Sequence, residues 1–104
     1  MNNEFTPCEA EMIALHISNY QDSPSPKDPL KPELRESLCR SALRKIIGLT
    51  PMTVFTKQEY SIMFFAVQHF ADVLHTNGKK ASSELYTLCD KLYTKAGGVA
   101  NPSN

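Results

Sequence analysis

Tryptophan is absent from this chain, glycine occurs four times, and cysteine three times, at Cys8, Cys39 and Cys89. The odd number and wide spacing of the thiols exclude a disulfide framework and a C-x-x-C metal knuckle, and reduced thiols in the cytoplasm are the expectation. No stretch approaches 18 uninterrupted apolar residues, and no basic N-terminal region runs into an apolar segment, so neither a membrane span nor a signal peptide is expected. Neither sign of charge is in excess: 11 Lys and Arg stand against 11 Asp and Glu. A neutral chain lacks the basic field that draws proteins to nucleic acid or anionic membrane. Period-two alternation never persists, and no internal repeat is present. Also missing are a glycine-rich phosphate loop, G-x-S-x-G, H-E-x-x-H and His-x3-His. With them go the usual grounds for an enzyme, and the sequence implies no cofactor, no metal and no small-molecule ligand.

What is present is helical periodicity, strongest in the segment TKQEYSIMFFAVQHFADVLHTNG, residues 56–78. Thr56 and Glu59 form a T-x-x-E capping box, and Phe55 and Tyr60 occupy the hydrophobic-staple positions around it. Asn77-Gly78 supplies a left-handed stop. Spaced about 100° apart, Tyr60, Ile62, Met63, Phe64, Ala66, Val67, Phe70, Ala71, Val73 and Leu74 fill an arc of roughly 200°. That width predicts a central helix touching two or three others. Phe65 falls on the opposite side, among Ser61, Gln68, Asp72 and His75.

Three further helices are expected around it. Thr6-Pro7-Cys8-Glu9 repeats the capping signal and starts one over residues 7–20, with residues 1–5 frayed before it. Two apolar strips run along that helix, Cys8, Met12 and Leu15 on one side and Ile13, Ile17 and Tyr20 on the other, with His16 between them. Burial between two layers accounts for both strips, with a reach to a second subunit as the alternative. Pro24, Pro26, Pro29 and Pro32 then break the chain into a stiff connector, expected to hold the next helix at a distance. That helix covers 33–47, with Leu34, Leu38, Cys39, Ala42, Leu43, Ile46 and Ile47 as its apolar stripe. Residues 1–22 carry acidic but no basic side chains while 23–48 are mostly basic, so the first two helices are expected to dock through charge. The apolar linker LTPMTVF should cover one end of the core through Met52, Val54 and Phe55. The last helix, 83–96, opens on Ser82 or Ser83 and follows a short turn, so it forms an antiparallel αα-hairpin with the central one. The glycine-led tail is expected to be flexible. The prediction is one all-α domain of four helices over residues 1–104, with a Pro-rich connector between the first two.

Function is less legible. His69 and His75 leave their helix about 120° apart and cannot chelate together. A site built from His16, His69 and the cysteines would need convergence that no spacing indicates. Each cysteine lies on an apolar stripe, where a thiol behaves as a small hydrophobe. The composition fits a small intracellular helical module, without catalytic activity, that binds a protein partner or itself through helix faces. Phe65, the strip Ile13, Ile17 and Tyr20, and the stripe-edge Tyr86 and Tyr93 are the candidate anchors, since aromatics beside polar groups commonly anchor interfaces. The alternative is a nucleic-acid-contacting regulator using Arg40, Arg44 and Lys45, with the neutral net charge against it.

Overall fold

Three of the four helices start behind a hydroxyl that accepts a backbone N–H. The computed structural model describes residues 5–26 and 28–97, with α1 over Pro7–Asp22, α2 over Pro32–Ile47, α3 over Lys57–Thr76 and α4 over Ser83–Lys95. Among the described residues there is no strand. Thr6 and Thr56 form complete capping boxes with Glu9 and Glu59, and Ser82 accepts from the Leu85 N–H at 3.1 Å. At α2 no side chain caps the helix, and Pro32 sits in the first turn, where a missing N–H costs nothing. The staple on α3 is formed, with Phe55 and Tyr60 ring centroids 5.4 Å apart. Its other end is a Schellman motif: Gly78 N–H donates to His75 O and Lys79 N–H to Leu74 O, with Gly78 at φ 74°.

Helix α3 is central, packed against α1, α2 and α4, and α1 also packs against α2. Its 20 residues place Ile62, Met63, Ala66 and Val67 in contact with a core completed by Ile13 and Ile17 of α1, Cys39, Ala42 and Ile46 of α2, and Leu85, Leu88 and Leu92 of α4. The short turn after α3 folds α4 back along it as an αα-hairpin.

Four local expectations fail. Phe5 is not frayed: it is buried, edge-on to Phe55 at 5.9 Å and under the Lys91 ammonium at 5.6 Å. Residues 1–4, Lys27 and 98–104, the expected flexible tail included, lie outside the described residues. The Pro-rich connector is a strap rather than a spacer. The Tyr20 hydroxyl donates to Asp28 Oδ2 at 2.6 Å, Asp28 Oδ1 accepts from Leu30 N–H at 2.9 Å, and Arg35 donates to Leu30 O at 3.2 Å. These bonds hold the connector against α1 and α2, which touch each other. The expected charge docking of α1 on α2 is also absent among the described residues: Glu9 of α1 pairs with Lys91 of α4 at 2.8 Å, while Lys45 of α2 pairs with Glu59 of α3 at 2.7 Å. Finally, of the linker side chains meant to cover the core, only Phe55 is buried; Met52 and Val54 face solvent.

Candidate functional site

The residues expected to anchor a partner are dispersed by the fold. Ile13 and Ile17 have no exposed surface and Tyr20 is 2% exposed, so that strip of α1 is core and unavailable to a partner. The outward strip is the other one, with Cys8 exposed and Leu15 57% exposed. Phe65 is half-buried against the core, its ring 5.9 Å from Phe64. Because α3 has three helical neighbours, its covered arc extends to Phe65, while Phe70 and Val73, placed by periodicity inside the arc, emerge at its rim. Tyr86 and Tyr93 are exposed, and the Tyr93 ring lies 5.5 Å from Phe64.

The basic residues proposed for nucleic acid do not form a free patch. Lys45 donates to Glu59 at 2.7 Å and to Val54 O at 2.9 Å, and Arg40 is bonded to Glu36 one turn away at 2.8 Å. Arg44 is exposed. Lys45, one of the three residues of the nucleic-acid alternative, is thus part of a structural clamp.

At that clamp Glu59 is 3% exposed. It accepts from its own helix start, Thr56 N–H, at 2.8 Å, from Lys45, and from the Ser41 hydroxyl. Burial by itself would push the carboxyl up, but those hydrogen bonds and the Lys45 charge outweigh it and hold the pKa below its ordinary value. The clamp also fixes the linker, through the Lys45 bond to Val54 O.

The linker is the surface that the sequence reading missed. Thr53 N–H donates to Thr50 O at 3.1 Å, Thr50 N–H to Thr53 Oγ1 at 2.9 Å, and Met52 N–H to Thr50 Oγ1 at 3.1 Å. These bonds tie 50–53 into a tight turn with Pro51 at its second position, which suits proline. On it and beside it Met52 is 84% exposed, Val54 76% and Ile47 73%. A groove of about 450 Å³ adjoins the turn, lined by Pro7, Ala10 and Ala14 of α1 and by Ile46, Ile47, Leu49 and Pro51. The signal was there to read: large apolar side chains on a proline-broken linker bounded by threonines cannot all turn inward.

A second, smaller cleft of about 160 Å³ lies between α1 and α3, lined by His16, Asn19, Tyr20 and Ser23 opposite Ala66, His69, Phe70 and Val73. His16 and His69 do converge here. The cysteines do not line this cleft, and among the described residues no group of three His, Cys, Asp or Glu side chains is placed to hold a metal ion. Burial pushes the Cys39 and Cys89 thiols up to about 11, so both are protonated and poor nucleophiles near neutral pH. No helix of the described residues is long and apolar enough to cross a membrane. No protein-family model, no curated protein and no solved structure matches this chain, so the functional reading rests on the geometry of these surfaces.

Proposed function

We propose that this chain is a non-catalytic protein-interaction module of the cytoplasm that takes an apolar segment of a partner, or of a second copy of itself, at the corner where α2 meets α3. One observation carries the reading: Ile47, Met52 and Val54 are the most exposed large hydrophobic side chains in the described residues, and they lie on or beside a turn tied by its threonines and, through Val54 O, by Lys45. Exposed apolar side chains grouped beside a groove mark interaction sites more often than scattered single ones do. A rigid turn also loses little freedom when it is covered, which favours binding. Free, buried Cys39 and Cys89 suit a reducing compartment.

The test compares wild type with the Met52→Ser/Val54→Ser double variant, and with Tyr86→Ser as a surface control. Sedimentation velocity at micromolar concentration reads self-association, and affinity capture from native lysate reads a foreign partner. The proposal expects association in one of the two assays that the double variant loses and Tyr86→Ser keeps. Equal behaviour of all three proteins in both assays would overturn it.

A further inference from the structure

His16 lines the cleft between α1 and α3, and one of its ring nitrogens is buried without a partner among the described residues. His16 is 5% exposed, and its Nδ1 finds no hydrogen bond among the described residues. Buried polar atoms are almost always paired, so an orphan at the wall of a cleft asks for a ligand. We propose that this cleft binds a small neutral compound of one aromatic ring bearing a hydroxyl or amino group, which hydrogen-bonds to Nδ1 of His16.

Size sets the first limit. The cleft holds about 160 Å³, close to the roughly 150 Å³ of a protein cavity known to accept benzene, so one ring fits. The walls set the second. Ala66, Phe70 and Val73 supply apolar contact, and neither a lysine, an arginine nor a carboxylate lines the cleft, so it offers no permanently charged side chain to neutralise a charged ligand. The Tyr20 hydroxyl is already committed to Asp28, and Asn19, Ser23 and His69 line the cleft nearer the solvent, so His16 is the inner polar handle. Burial lowers the His16 pKa and keeps the imidazole neutral, able to accept a proton from a hydroxyl at Nδ1 or to donate one. Phe70 covers it: the rings stack at 4.3 Å and 25°, and Phe70 is 38% exposed. Nδ1 itself is closed off from solvent, so binding requires the ligand to displace the Phe70 ring from its stack on the imidazole.

The experiment titrates the isotope-labelled full chain with phenol, and with toluene as a ring of similar size lacking the hydroxyl, at a pH above the ordinary imidazole value. Saturable amide shifts should concentrate on the cleft residues, the His16 Nδ1 resonance should move with phenol alone, and phenol should bind about five-fold tighter than toluene. His16→Phe should erase that preference. Should His16→Phe fail to fold, Phe70→Ala provides the second arm, with the phenol preference kept and access to Nδ1 widened. No saturation with phenol, shifts spread evenly over the surface, or equal binding of phenol and toluene with Nδ1 unmoved would each overturn the proposal.

Discussion

Glu59 is a nearly fully buried carboxylate that remains ionised because three donors converge on it: the Thr56 N–H at the start of α3, and Ser41 and Lys45 of α2. Removing one partner leaves the charge short of compensation. Lys45→Met should therefore lower stability by about 2 kcal/mol, less than for a fully enclosed pair because the lysine is 34% exposed. Urea unfolding measures it, and a change below a few tenths would show that Ser41 and the cap suffice. Acid tests the same residue and its counterparts. Glu9 and Glu59 are held below the ordinary carboxyl value of 4.5, against the upward push of burial in each case. Their contribution is whole above 4.5 and is lost as pH falls through their folded values. His16 acts earlier. Its folded pKa is lowered from 6.5 by burial, so on acidification the unfolded chain takes up a proton first and stability starts to fall below 6.5. Urea midpoints followed from neutral to acid pH should drop in two stages, and His16→Phe should retain only the second.

Individual elements are held by their ends as much as by their stripes. Thr56→Ala removes the acceptor for the Glu59 N–H and should cost about 1.5 kcal/mol, with Thr6→Ala nearer 1 kcal/mol because its box lies at an exposed site. Gly78→Ala meets no atom within 4 Å, so its cost, about 1 kcal/mol, comes from the left-handed backbone alone. Thermal or urea unfolding of the three variants would check that ranking. These ends are also why the architecture was legible: T-x-x-E, Ser82 and Asn77-Gly78 are local signals whose partners lie within a few residues, and the four helices fall within two residues of the expected bounds. The connector was not legible, because its behaviour depends on Asp28 meeting Tyr20 across the start of a turn. Periodicity does not encode that meeting. For the same reason it misplaced Phe65: an angle on a helical wheel says which side a residue is on, whereas burial depends on how many neighbours the helix has. The surface proposed to bind escaped for a third reason. Met52 and Val54 are apolar and were assigned inward, yet the Thr50–Thr53 turn directs them out.

At the scale of the whole molecule, two ion pairs of a charge-neutral bundle tie helices together, α2 to α3 through Lys45–Glu59 and α1 to α4 through Glu9–Lys91. The large apolar side chains left exposed are not equally so. Exposed ones occur on every helix, and the three most exposed, Ile47, Met52 and Val54, belong to the α2–α3 corner, next to the groove against α1, while the α1–α3 cleft presents a different, smaller and more enclosed surface. The proposed division of labour is that the corner engages a macromolecule and the cleft a single ring. The corner is the central claim, and the most direct measurement is parallel affinity capture with immobilised wild type, Met52→Ser/Val54→Ser and Tyr86→Ser, each first shown to unfold at the same urea concentration. The account predicts a protein, either foreign or a second copy of this chain, retained in stoichiometric amount by wild type and Tyr86→Ser and lost from the double variant. Retention unchanged by the double substitution, or lost with Tyr86→Ser instead, would contradict it.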